Sequence, residues 1–574
     1  MTTNLLKRLF PFLSWPRIDG KTLSSDLIAG ITVSLLAVPQ SLAYAQLAGV
    51  PAYYGLYAAF IPSIVGVLFG SSGILSTGPV AMTSLLTAAS VSQITPPGSS
   101  EFETYVILLA LISGLFQIAL GLARAGVLLN LLSYPVLMGF INAAAIIIAL
   151  SQLPAMTGII VPRTDQFLVD IWRIVTKLDT LHGMSLYFGL ASIALLVIFK
   201  RFTPRLPGVL MMVAILTLLS YETSYAEHGG AIVGEIPTGV PSISVPAASW
   251  SATIALLPAA FVISLISFME AMSSCKVIAI KTRTRWDENQ ELIGQGLAKV
   301  AAAFCHSMPV SGSFSRSALN LASHAKTGFS SLFAAGFVLL TLMYFTPLLY
   351  YLPKPALAAM IVLAVVNLVD FSSMRRAWYA QRDDGIAAVL TFTATLAFAP
   401  NIQNGILTGI IFSLGAFIYH RMSPRIVKVG LHPDGTLRDA VRFALPPLHG
   451  RIVALRFDAT LFFANVSFFE DEVLKLEREN PGLWYLLIVA NGINHIDASG
   501  VEMLRRVVIR LREAGITLAI SGAKKQFLEV IERTGLEREI GADNILRSDV
   551  QAIVTLLERV AAREMSPPPR LSLP

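Results

Sequence analysis

Charge is what this chain has least of. Asp, Glu, Lys and Arg together make up 14% of its 574 residues, against about 25% in an ordinary soluble protein. With 54% hydrophobic residues and a mean hydropathy of +0.67, most of its length requires lipid as solvent. Cysteine is nearly missing too: Cys275 and Cys305 lie in or beside apolar segments, so no disulfide framework is expected, and both read as small buried hydrophobes. The eight histidines are scattered without ligand spacing, so no metal site is expected. A phosphate loop is lacking as well, because the one Gly-Lys-Thr (20–22) has Trp15 where such a loop needs glycine. No cofactor is expected, and nothing marks an enzyme. The net charge of +7 is not gathered into a basic, aromatic-laced patch, which excludes nucleic acid as an expected partner. Residues 1–25 hold Lys7, Arg8, Arg17 and Lys21 but no long apolar stretch. They are expected to form an N-terminal cytoplasmic segment and not a cleavable signal, with Leu5, Leu6, Phe10 and Phe12 dipping into the membrane interface.

What is there is a succession of apolar runs with the length of membrane helices. They fall at 27–47, 53–69, 78–93, 104–122, 131–151, 184–200, 207–221, 252–275, 289–305, 314–323, 328–350, 354–369, 385–400 and 403–420. About fourteen transmembrane segments place both termini on one side. Arg124, Lys200, Arg201, Lys281, Arg283, Arg376 and Arg421 fall in connections on that side, while Glu101, Glu103, Glu222, Glu227 and Glu235 fall opposite. The positive-inside rule then makes the termini cytoplasmic, in the cell (inner) membrane. Two runs, 78–93 and 314–323, are too short to cross about 30 Å of hydrocarbon. Each is third in its set of seven, and each follows a Gly/Ser/Pro-rich approach, 70–79 (GSSGILSTGP) and 309–313 (PVSGS). Interrupted segments at matching places in two halves indicate a 7+7 inverted repeat with a binding site at the midplane. The fold class expected is therefore a mostly α membrane protein, with a transmembrane transport domain over 26–422. Past it the pattern changes to soluble α/β over 433–565, with strands at 451–457, 484–490 and 516–521 and helices at 466–478, 499–513, 524–535 and 549–563. The tail, 566–574, is expected to be disordered.

Charges inside membrane segments need a reason, since each costs at least about 2.5–3.5 kcal/mol at mid-helix. Glu270, Lys299 and Arg316 stand out. Arg316 lies in the first turn of the short run 314–323, where its charge and the helix N-terminus both favour an anion. The other short run starts near Gly78 and Pro79, and proline suits a first helical turn. Two converging half-helix ends supply about +0.5 each, so with Arg316 the total approaches +2, a cradle for a dianion. Alternatively Arg316 reaches water or pairs with Glu270. Glu270, flanked by Ser264, Ser267, Ser273 and Ser274, reads as a proton-binding group or one half of a fixed ion pair. Lys299, in GQGLAKVAAAF, carries no firm reading. In the first run Pro39 is expected to break the helix, and Gln40 and Tyr44, four apart, offer an amide and a hydroxyl on one face. In the soluble part Ser499 with Glu502 reads as a capping box, or Ser499 as a regulatory phosphorylation site.

The stretch 26–57 (DLIAGITVSLLAVPQSLAYAQLAGVPAYYGLY) resembles the signature of the sulfate permease (SulP) family. Segments 76–86 and 312–320 (GSFSRSALN) resemble its third and tenth segments, and 433–565 resembles its STAS domain, with 497–500 (DASG) matching that domain's named loop. The likeness implies core and gate domains in seven-plus-seven repeats, a homodimer, and secondary active transport of inorganic anions by alternating access. The run around Arg316 is most similar to plant proton-coupled sulfate transporters, in which the equivalent arginine contacts sulfate and the equivalent of Glu270 is tied to protons. The resemblance thus implies anion binding at Gln40, Tyr44, Ser76, Thr77, Gly78, Val80, Ser315 and Arg316, and proton coupling at Glu270. Lys299 departs from the family pattern, where many relatives carry Asn. The alternative is a bicarbonate, chloride or dicarboxylate carrier or exchanger of the same family. A membrane-anchored signalling protein acting through the STAS domain, with a cytoplasmic protein partner, is the reading from another class.

Overall fold

The computed structural model describes residues 10–16, 19–126, 133–159, 167–203, 207–246, 249–366 and 368–565. Leu5, Leu6 and the tail at 566–574 lie outside the described residues. The chain divides into two compact units, Met1–Ser413 and Leu414–Pro574.

The first unit is helical. α1 (Gly20–Ala48) starts on Asp19, whose carboxylate accepts from the Thr22 amide at 2.7 Å, and ends on Gly49 in the left-handed conformation. Pro39 sits inside α1 without ending it, which corrects the expectation of a break. Proline removes one backbone hydrogen bond, yet its fixed φ is helical, and the helix around it is largely buried. There follow α2 (Ala52–Phe69), the two-residue strand β1 (Thr77–Gly78), α3 (Ala81–Val91), α4 (Ser100–Leu122), α5 (Tyr134–Ser151), α6 (Gly183–Phe202) and α7 (Gly208–Glu222). The second half runs α8 (Trp250–Thr282), α9 (Glu288–Phe304), β2 (Ser311–Gly312), α10 (Phe314–Ala322), α11 (Phe329–Leu340), α12 (Lys354–Val366), α13 (Arg382–Ala397) and α14 (Ile402–Met422). Among the described residues nine helical stretches are long and apolar enough to cross a membrane, three of them running past the ends of α5, α11 and α12 as Tyr134–Thr157, Phe329–Leu349 and Lys354–Ala380. The other five predicted runs are the shorter helices α3, α7, α9, α10 and α13. Leu153–Thr157, Phe167–Thr176 and Phe371–Ala380 are further helices that the hydropathy pattern did not announce.

Packing follows the duplication. α4 packs on α8 as α11 packs on α1, α4 on α9 as α11 on α2, and α5 on α13 as α12 on α6. Each pair becomes the other when a helix is exchanged for the one seven places along. Two interlocked sets result: α1–α4 with α8–α11, and α5–α7 with α12 and α13. Small residues allow the tight contacts. A Cβ on Gly114 of α4 would come 2.7 Å from the Gly296 carbonyl of α9, and one on Gly55 of α2 would overlap the Ser41 carbonyl of α1 at 1.8 Å.

The second unit is an α/β layer. β3 (Ile426–Leu431), β4 (Leu437–Asp439), β5 (Ile452–Phe457), β6 (Tyr485–Val489), β7 (Thr517–Ser521) and β8 (Ile545–Leu546) form a six-stranded sheet ordered β4-β3-β5-β6-β7-β8. β3 is antiparallel to β4 and β5, and β5 to β8 are parallel. Strand alternation puts Leu455, Phe457, Leu486 and Ile488 under α15 (Val466–Glu479), α16 (Ala498–Glu513), α17 (Lys525–Arg533) and α18 (Leu536–Ile540). It puts Ile452, Ala454, Leu487 and Val489 under α19 (Asp549–Met565). The sheet begins at Ile426, ahead of the expected start at 433. β3, β4 and the two-residue β8 were not foreseen, because β3 follows a membrane helix directly and the others are too short to show alternation.

Ser499 is not the cap of α16. Asp497 is, accepting from the Gly500 amide at 2.8 Å, while Glu502 pairs with Arg505 and Ser499 is exposed. The helix starts one residue earlier than its sequence pattern suggested, so the shorter carboxylate at 497 has the capping geometry.

Candidate functional site

The short helices α3 and α10 are each preceded by a strand, and the two strands pair antiparallel with Thr77 opposite Gly312 and Gly78 opposite Ser311. This crossing brings both helix N-termini to one place. It is pinned on every side. The Ser313 amide donates to the Ser76 carbonyl at 2.8 Å, the Ser76 amide to Ser317 Oγ at 2.9 Å, and Asn320 Nδ2 to the Ile74 carbonyl at 2.9 Å. Ser63 of α2 donates to the Thr77 carbonyl at 2.7 Å, and Gln295 of α9 donates to Thr77 Oγ1 at 2.9 Å. Val80, the residue before α3, offers no side-chain cap, so the first amides of α3 keep their donor capacity. At α10 the cap is Ser313, whose Oγ accepts from the Arg316 amide at a long 3.4 Å.

Arg316 reaches from α10 across the crossing. It is 2% exposed, and its Nη1 donates to the Pro79 carbonyl at 2.9 Å. Its Nη2 has no hydrogen-bond partner. A Cβ on Gly78 would stand 2.9 Å from that nitrogen, so glycine there makes room for the guanidinium. Arg316 lines a small cavity of about 20 Å³ with Ser63, Ser76, Thr77 and Ser331. A larger one, about 420 Å³, has Gln40 and Tyr44 among apolar residues of α6, α7 and α12, with Lys200 on its wall. Gln40 Oε1 is buried without a partner. Tyr44, buried, lies within electrostatic reach of both Arg316 and Glu270.

Glu270 of α8 points one unpartnered, buried oxygen, Oε2, into the protein, with the Ser311 hydroxyl of β2 beside its carboxylate. Among the described residues no ion pair joins it to Arg316, so the alternative of a fixed pair is not what the structure contains. The fold therefore brings together Ser76, Thr77, Gly78, Val80 and Arg316 at the crossing, with Tyr44 and Glu270 nearby and Gln40 on the larger cavity. Ser315 is apart: it is exposed, and its hydroxyl lies 3.4 Å from that of Ser313. Ser499 belongs to the second unit.

Several buried polar residues of this neighbourhood escaped the sequence reading. Asp26 of α1, fully buried, accepts from the Lys326 amide at 2.7 Å and from the amide and hydroxyl of Thr327. Glu291 of α9, also fully buried, accepts from the amides of Ser71 and Ser72 at 2.8 and 3.0 Å and from Gln295 at 2.9 Å. Glu291 sits in the first turn of α9 and Asp26 just ahead of the apolar run at 27–47, places where a carboxylate passes for a solvated one. The signal that could have singled out Glu291 is its partner Gln295 four residues on, inside a run rich in glycine and alanine.

The sulfate permease family profile matches residues 23–395, and the STAS domain profile matches 446–552. The chain is 33% identical over 588 residues to "Probable sulfate transporter 4.2" of Arabidopsis thaliana, covering 98% of this chain and 86% of that one. It is 33% identical over 554 residues to "Sulfate transporter 4.1, chloroplastic" of the same plant, covering 93% and 80%. Its fold is similar to the murine Solute Carrier 26 family member A9 anion transporter in the inward-facing state, with a TM-score of 0.91 at 21% identity over 97% of this chain and 95% of that one.

Proposed function

The chain belongs to the sulfate permease family, a family of multi-pass membrane transporters, and from that premise we propose that it carries sulfate by proton-coupled symport. The observation that carries the proposal is the buried Arg316 guanidinium, one nitrogen of which lacks a protein partner, at the crossing of two half-helices. A buried donor left unpaired costs about 1–3 kcal/mol, more when charged, and a tetrahedral oxyanion would satisfy it. The half-helix ends add about +0.5 each, which suits a dianion better than a monovalent one. Ser76, Thr77, Gly78 and Val80 would contribute backbone and hydroxyl groups, and Gln40 and Tyr44 would contact the anion from α1. The same chemistry accommodates the names of the relatives as sulfate transporters.

Glu270 is read as the proton carrier. Empty, Arg316 and an ionised Glu270 nearly cancel. Protonating Glu270 frees the full charge of Arg316 for the anion. Proton and anion then strengthen each other's binding by the same factor. The excess of Lys and Arg in alternate loops supports cytoplasmic termini in the cell membrane, and the family supports a homodimer whose STAS unit meets a cytoplasmic protein. The test is uptake of labelled sulfate into proteoliposomes with an inward proton gradient. Accumulation that collapses with a protonophore is the expected result; no sulfate uptake, or uptake indifferent to the gradient, overturns the reading.

A further inference from the structure

Lys299 has no role in the site as described, yet it is 0% exposed in the middle of α9. Its stem is clamped, because a Cβ on the facing Gly114 of α4 would lie 2.9 Å from the Lys299 Cβ. Its ammonium donates to the Ser267 hydroxyl of α8. That hydroxyl also accepts from Gln117 Nε2 at 2.9 Å and donates to the Ser264 carbonyl at 3.3 Å, so its capacity is used up. An ammonium has three donors, and among the described residues Nζ makes this one hydrogen bond. Ser267 and Glu270 are three apart on α8 and share a face, so their Cβ atoms lie about 5–6 Å apart. A buried cation short of acceptors thus stands one helical turn from a buried carboxylate oxygen with no donor. Ser267 ties this pair to the anion site, since its carbonyl accepts from Ser311 of β2 at 2.7 Å.

The ionisable groups around Glu270 are few. α9 contributes Lys299, with Glu288 and Glu291 two or more turns away in its first turn. α10 contributes Arg316 and α1 contributes Tyr44. α3 and β2 carry none, α4 meets α8 there through Gln117, and Lys276 and Lys281 lie further along α8 itself. Lys299 is therefore the one cation near Glu270, among the described residues, that the proposed anion does not claim.

We propose that Lys299 is a positioning residue for coupling: its ammonium, pinned on Ser267 one turn from Glu270, acts on that carboxylate through space and sets the pH at which Glu270 takes its proton. This rests on the reading of Glu270 as the proton carrier. A nearby cation favours the ionised carboxylate. Without it the same protonation happens at higher pH, and transport turns on nearer neutrality. Two readouts on the purified full chain separate the two ideas. The infrared carboxylic-acid band that disappears in Glu270→Gln reports the carboxylate itself, and sulfate uptake against pH reports transport. In Lys299→Gln the band midpoint is expected about one pH unit above that of the wild type, a tenfold change in proton affinity. Lys299→Arg is expected to keep the wild-type midpoint at a lower rate. Ser267→Ala leaves the charge but frees it to approach Glu270, so its midpoint should move the opposite way. It serves as the deciding variant should Lys299→Gln fail to fold. An unmoved band in the variant that folds overturns the proposal, as does uptake lowered equally at every pH with no change of midpoint. A band that moves while wild-type uptake ignores pH supports the role of Lys299 and overturns proton coupling instead.

Discussion

The irregular segments that flank the two half-helices and the crossing between them hold buried charge in opposite ways. Glu291, against the approach to α3, and Asp26, against the segment after α10, are enclosed by donors: main-chain amides at 71–72 and 326–327, a glutamine amide and a threonine hydroxyl. At the crossing, Arg316 keeps a free nitrogen and Glu270 a free oxygen. Both pairs are carried by helices of the same unit; Asp26, Glu291 and Arg316 are buried, and Glu270 is partly buried with its free oxygen enclosed. A carboxylate ringed by amides is a fixed strut that holds an irregular segment in shape. An unmet charge at the meeting of two helix ends is, on the proposed function, the place where the anion arrives and leaves. Satisfaction of hydrogen bonds, and not the presence of a charge, separates scaffold from site here.

The contrast is broken most severely at Arg316. Arg316→Ala is expected to reduce sulfate uptake to background while expression and folding persist. Arg316→Lys should restore little, because a point charge replaces a planar fork. Sulfate affinity measured by calorimetry decides it, and unimpaired binding by the alanine protein would sink the cradle. Next comes Glu270→Gln. It mimics the protonated carboxyl, so sulfate should still bind, while accumulation against a gradient is lost and the rise of uptake from about pH 8 to 5.5 flattens. Proteoliposome uptake across that pH range, with and without protonophore, checks both parts.

On the scaffold side the effects should be on stability. Asp26→Asn and Glu291→Gln each remove charge-assisted hydrogen bonds worth about 1.5–3 kcal/mol apiece. Thermal melting in detergent should fall by several degrees, with sulfate affinity and the pH midpoint of uptake nearly unchanged. A shifted pH midpoint in Glu291→Gln would erase the distinction between strut and site. The smallest effects belong to the second unit. Asp497→Ala should cost about 0.5–2 kcal/mol of its stability through the lost cap of α16. Ser499→Ala, on an exposed hydroxyl, should stay within about 0.5 kcal/mol. A strong change in transport from Ser499→Ala with unchanged melting would instead make that serine regulatory.

Much of this was legible in the residues. The fourteen apolar runs all reappear as helices, nine of them in stretches with the length and hydropathy of membrane spans. The strands around 452–457, 485–489 and 517–521 were visible because each is a run of apolar residues between turns. The shortness of 78–93 and 314–323 pointed to the crossing, since hydrophobic length is a local property. Pro39 misled, because a proline's effect depends on what packs around it. Ser499 misled as well, because two plausible caps stood two residues apart and only the backbone angle at Asp497 selects between them. Lys299 was conspicuous as a charge in an apolar run but had no reading until its neighbour was known.

Residue order alone is enough to place most of the chain in lipid, to indicate two matching halves, to mark the α/β unit that follows, and to single out three charges within apolar runs. These follow from composition, from segment length and from hydropathy, which are additive along the chain. Only the tertiary structure decided that β1 and β2 pair, so that Thr77 faces Gly312, and that Arg316 passes over Gly78 with a nitrogen to spare. It also set Asp26 and Glu291 as braces and placed Lys299 one turn from Glu270. Those relations join residues more than two hundred positions apart, or depend on which donors a side chain happens to meet, and no local pattern encodes either.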